Sequence, residues 1–89
     1  MVVFILENAR PALRGELSRW LFEVQAGVFT GRVSALVRQE LWQMVEKKLG
    51  KGSAVMIYSA NNEQGFKAQM LGNPSRSLVD IEGLLLVKT

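Results

Sequence analysis

The chain has 89 residues, 48% of them hydrophobic, and its eleven Lys/Arg against eight Asp/Glu leave a net charge of +3. It contains no cysteine and no histidine, which excludes disulfides, thiolate zinc centres, cysteine nucleophiles and every histidine-based triad. Any metal would have to be a hard cation held by oxygens, magnesium first and manganese as the alternative.

The first element is Met1-Val2-Val3-Phe4-Ile5-Leu6, an uncharged run rich in β-branched and aromatic residues that stops at Glu7-Asn8. It reads as a strand buried on both faces, with an acid at its tip. It lacks the basic n-region of a signal peptide. No apolar run approaches the ~18 residues of a membrane span, so a cytoplasmic protein with no membrane partner is expected. Asn8 is placed to cap a helix with Arg10-Pro11 in its first turn. Leu13, Leu17, Trp20 and Leu21 recur at helical spacing and form its apolar face. Gly15 inside that helix costs roughly 1 kcal/mol relative to alanine, which suggests that something, such as a phosphate backbone, approaches closely there.

Val24–Phe29 reads as a second strand closed by Thr30-Gly31. A long helix is expected from about Val33 to Leu49, with Val33, Leu36, Val37, Leu41, Met44, Val45 and Leu49 as its buried stripe. Lys47 and Lys48 complement the dipole in its last turn, and Gly50 and Gly52 end it. Ala54–Ala60 is a third strand. The turn Asn61–Gly65 leads into Phe66–Leu71, a half-exposed hairpin strand that gives Lys67, Gln69 and Leu71 to one face. After the loop Gly72–Ser77, the tail Leu78–Val87 offers one or two further strands.

The order β-α-β-α-β-β-β places this chain in the α+β class. Its expected form is a ferredoxin-like core, a mostly antiparallel sheet with two helices on one face and extra C-terminal strands. One domain fills residues 1–89. The surplus of apolar residues in so short a chain points to an oligomer interface, most simply a homodimer. The mild basic excess is compatible with a nucleic-acid partner. Trp20, Trp42 and Tyr58 read as core or interface residues, with Trp42 falling off the main stripe of its helix.

Several blocks in order carry a more specific signal: Glu7-Asn8, Leu13-Arg14-Gly15, Trp20–Phe29, Gly65-Phe66, Gly72-Asn73-Pro74-Ser75-Arg76 and Val79-Asp80-Ile81-Glu82-Gly83-Leu84. Together they resemble the Cas-two family of CRISPR adaptation proteins in its type I-E form, from about Val2 to Val87. The resemblance implies a homodimer in antiviral defence that bridges two dimers of the Cas-one integrase. That assembly holds a double-stranded protospacer and inserts it into the CRISPR array as a new spacer. The integration chemistry belongs to Cas-one, and the small subunit supplies a basic deck. The family is also described as a magnesium-dependent endonuclease, a hydrolase acting on RNA or DNA, so the choice between scaffold and enzyme stays open at this point.

In the nuclease reading Glu7 is the catalytic and metal-binding residue, one per subunit meeting across a two-fold axis, where magnesium would activate water on a phosphodiester. In the scaffold reading Glu7 is a polar contact at the dimer axis. Arg10 and Arg14, four apart, would share a helix face beside Gly15. With the resemblance they become DNA-binding residues that hold phosphates and give sequence-independent affinity. The plainer reading is a solvated face with Arg14–Glu16 or Arg10–Glu7 as charge neighbours. Arg76 stands where type I-E relatives carry arginine and joins the DNA-binding set, with Arg38 of the long helix. Asp80, Glu82, Leu84 and Leu86 belong to the tail, residues 78–89, which in the family docks on the integrase. The chain departs from the pattern at Ala12, Gln25, Leu36 and Ser75, where relatives often carry basic residues, so fewer phosphates are neutralised per subunit.

Overall fold

The computed structural model describes residues 1–72. In chain order the elements are β1 (Val2–Glu7), α1 (Pro11–Leu17), β2 (Phe22–Gln25), β3 (Val28–Gly31), α2 (Ala35–Lys48), β4 (Ser53–Ser59) and β5 (Phe66–Leu71). The strands form one five-stranded sheet in the order β2-β3-β1-β4-β5, with every neighbouring pair antiparallel. A β-α-β-β-α-β order with β1 between β3 and β4 is the ferredoxin-like arrangement, so the α+β reading holds. The expected C-terminal strands lie outside the described residues.

β1 is the central strand. Val2, Phe4 and Leu6 are buried and Val3, Ile5 and Glu7 half-buried, in strict alternation, because side chains of a strand point to opposite faces. Phe4 pairs with Phe29 of β3 and Met56 of β4. The inward set packs under Leu13 and Leu17 of α1 and Leu41, Trp42 and Val45 of α2 as one apolar core. Trp42, off the expected stripe, therefore belongs to the core, where its ring lies 6.2 Å from that of Phe4. Leu36, assigned to the stripe by the sequence, is exposed.

The first helix ends at Leu17, short of Trp20 and Leu21, and two further differences from the sequence reading bear on the site. The stretch read as one strand, Val24–Phe29, is a hairpin: β2 and β3 are separated by Ala26-Gly27. Gly27 makes the turn possible. Its φ is +80°, and a Cβ there would lie 2.5 Å from the Leu6 carbonyl oxygen, so only glycine fits. The Gly27 carbonyl in turn accepts from the Leu6 N–H at 2.8 Å, tying the hairpin to the end of β1. Secondly, Asn8 does not cap α1. Asn8 takes φ +57° and Arg10 is the N-cap, with extended backbone and Pro11 following at the first helical position, where its missing N–H costs nothing. α2 has a side-chain cap, the Ser34 hydroxyl accepting from the Val37 N–H at 3.2 Å.

Among the described residues no helix packs on the other face of the sheet. Val55 and Ile57 are buried there with Val3, Ile5, Phe66 and Ala68 around them. The register places Thr30 beside Val3 and Phe22 beside Thr30, so Phe22, 71% exposed, extends this apolar face to the sheet edge.

Candidate nucleic-acid interface

Arg14 rises from α1 and reaches β2. Its Nε and Nη2 donate to Glu23 Oε2 at 3.2 and 2.7 Å, and the same oxygen accepts from the Gly27 N–H at 3.0 Å. The Gly27 N–H first, and then the Arg14 guanidinium, hold the Glu23 carboxyl below its ordinary range, since donors aimed at the ionised form favour it. The bridge locks α1 onto the β2–β3 hairpin and fixes the plane of the guanidinium. Nη1 takes part in neither bond. The partner of Arg14 is thus Glu23, not Glu16, which instead receives Lys48 Nζ from α2 at 2.7 and 2.9 Å.

Arg10 and Arg14 do not share a helix face. Arg10 precedes the helix, and its side chain lies over Gly50, beyond the end of α2. Arg14 instead borders a cavity formed with Leu6, Asn8, Ala26 and Gly27. The two cations flank α1 on different sides. Arg38, on α2, is half-buried and stacks on Tyr58, its guanidinium carbon 3.8 Å from the ring centroid, in cation–π geometry. It lines a cavity of about 280 Å³ with Gln39, Gln43, Glu46 and Gln69. Among the described residues nothing approaches Gly15: the space a Cβ would occupy is open to 4 Å. Trp20 is exposed rather than core.

Glu7 stands at the end of β1, opposite Ser53 of β4. The buried Ser53 hydroxyl donates to Glu7 Oε1 at 3.3 Å. By register Glu7 lies on the helix-free side with Ile5 and Val3. Among the described residues no three His, Cys, Asp or Glu side chains gather as a metal-binding group. The described residues offer a magnesium ion one carboxylate and one hydroxyl here, and an ion would need further oxygen ligands, such as a second carboxylate or substrate phosphates. Arg76, Asp80, Glu82, Leu84 and Leu86 lie outside the described residues.

Sequence reasoning missed Glu23, which falls outside the strand it assigned, and it gave Lys47 only a helix-dipole role. No local pattern marks either, since both acquire meaning through contacts between elements.

A ferredoxin-like α+β domain, with an apolar sheet face and arginines on its helical layer, is the class that fold and site define. Within that class the chain belongs to the CRISPR-associated protein family Cas_Cas2CT1978, whose family model matches residues 1–86. Among the described residues no helix is long and apolar enough to cross a membrane.

Proposed function

We propose that this protein is the homodimeric, DNA-binding scaffold of a type I-E spacer-acquisition complex, bridging Cas-one integrase dimers and holding the protospacer duplex. The observation that carries the reading is the division of the domain into two chemically different layers. The helix-free face is apolar, with Phe22, Val3, Ile5, Val55, Ile57 and Phe66 on it, and fits a second copy of the same sheet. The helical layer carries Arg10, Arg14 and Arg38, the last two held in place by Glu23 and Tyr58. Ordered guanidiniums lose little entropy on meeting phosphates and give affinity without base recognition. The family match supports the CRISPR setting.

The second reading is a magnesium-dependent endonuclease built on Glu7. What favours it is the placement of a carboxylate at a strand end on the very face a second copy would cover, where two copies can meet. One variant separates the readings. Glu7→Gln keeps an acceptor for Ser53 and removes the charge. Spacer acquisition in cells that also express the integrase should persist with this variant, with dimer formation unchanged. Loss of acquisition together with loss of magnesium-dependent cleavage, in a protein that still dimerises, overturns the scaffold reading.

A further inference from the structure

A second group of cations gathers away from Arg14. Arg10, from the β1–α1 connection, and Lys47 and Lys48, from the last turn of α2, line one cavity of about 330 Å³ whose remaining wall is Ala12, Leu13 and Gly50. The chain brings these residues together only through the packing of α1 on α2, which Glu16 and Lys48 clasp with two hydrogen bonds. That clasp uses up the charge of Lys48. Neither Arg10 nor Lys47 is ion-paired with another described residue. The guanidinium of Arg10 rests on Gly50, with Nη2 3.7 Å from where a Cβ would stand, and Gly50 has φ +67°.

Two cations held at one concave seam with no counter-ion among the described residues raise the local potential and favour an anion. The seam belongs to the same helical layer as Arg14 and Arg38, so one extended polyanion can reach both sides of α1. We propose that the Arg10–Lys47 seam is a further phosphodiester site, which takes backbone phosphates of the DNA duplex beyond those reached by Arg14. It rests on the duplex-binding reading above and deepens it: the seam assigns Lys47 a role in DNA contact and gives Arg10 a separate phosphate from Arg14.

The test uses the full chain and a blunt duplex, with affinity followed by fluorescence anisotropy across a salt series. Replacing both residues, Arg10→Ala with Lys47→Ala, should weaken binding and lower the slope of log affinity against log salt by about 1 for each cation removed. Lys47→Gln alone should lower it by about 1. Amide spectra of the wild type provide the local readout, with the Gly50 and Leu49 signals expected to move on adding duplex. If the wild type binds duplex with a measurable slope and the double variant keeps that slope, the seam is not a site, although duplex binding stands. If the wild type binds no duplex, the underlying reading fails and the seam goes with it. Should inorganic phosphate alone move the Gly50 signal while duplex does not, the seam holds a small phosphate and the duplex assignment is overturned.

Discussion

The same substitution at two glycines should act in opposite directions. At Gly27 an added Cβ meets the Leu6 carbonyl oxygen at 2.5 Å, in a backbone with φ +80°. The left-handed conformation costs a non-glycine residue about 1–2 kcal/mol. Relieving the clash displaces the turn and sacrifices the 2.8 Å bond from the Leu6 N–H to the Gly27 carbonyl, worth about 1 kcal/mol. Gly27→Ala should therefore destabilise by about 2–3 kcal/mol, which lowers Tm by about 10–20 °C in a domain of this size. At Gly15 nothing stands within 4 Å, the residue is inside α1, and alanine is the better helix former. Gly15→Ala should stabilise by about 0.5–1 kcal/mol. Urea unfolding followed by far-ultraviolet circular dichroism measures both, at one protomer concentration because dimerisation shifts the midpoint. A loss below about 1 kcal/mol at Gly27 would refute the close approach of hairpin and β1. A loss at Gly15 would mean that its missing side chain is needed in the folded domain itself. A more stable Gly15→Ala protein that binds duplex less well would instead restore the close approach of a backbone phosphate.

Two further outcomes follow from single contacts. Glu23 has a lowered carboxyl pKa, so its contribution is fully present above its ordinary value and is lost as pH falls through the lowered one. Wild type should therefore exceed Glu23→Gln in urea midpoint at about pH 7, with the gap narrowing as pH falls below the ordinary carboxylate range; a gap that does not change with pH removes the ionised carboxylate from the account. Ser34→Ala loses the cap bond to the Val37 N–H and should cost about 1 kcal/mol in the same assay, with duplex affinity at fixed salt unchanged.

The fold class was legible because its strongest signals are long and periodic: an uncharged first strand, a long helix and a buried strand ending in a polar turn. The β2–β3 hairpin was not, since Ala26-Gly27 lacks the paired turn residues that announce one, and its tight turn is dictated by contact with Leu6, far off in sequence. The buried stripe of α2 differs from the expected one at two positions for one reason. At about 100° per residue, Leu36 lies nearly opposite the arc of Leu41, Val45 and Leu49, whereas Trp42 lies on it. Composition drew the eye to Leu36, while the core is set by angle. The candidate site divides similarly. Arg14 stood out beside a helical glycine, but its partner Glu23 is reached only once the hairpin folds back. Arg10 looked like its helical neighbour because the spacing is four, yet a helix that starts at Pro11 leaves Arg10 outside it and turns it towards α2.

The two layers also bear on what Glu7 can do. Strand alternation sends Val2, Phe4 and Leu6 to the helices and Val3, Ile5 and Glu7 to the opposite face of the sheet, so the carboxylate is committed to the apolar face by the same period that builds the core. Val55 and Ile57 on that face are 2% and 9% exposed, and in the proposed dimer the sheet of a second copy packs on the same face. In the proposed dimer that packing leaves both helical layers outward, with Arg14, Arg38 and the Arg10–Lys47 seam open to a duplex. The contact that would bring two Glu7 carboxylates together would also narrow the approach of a phosphodiester to them. Binding and cleavage therefore make opposite demands on the sheet face, and the cations are on the side that favours binding.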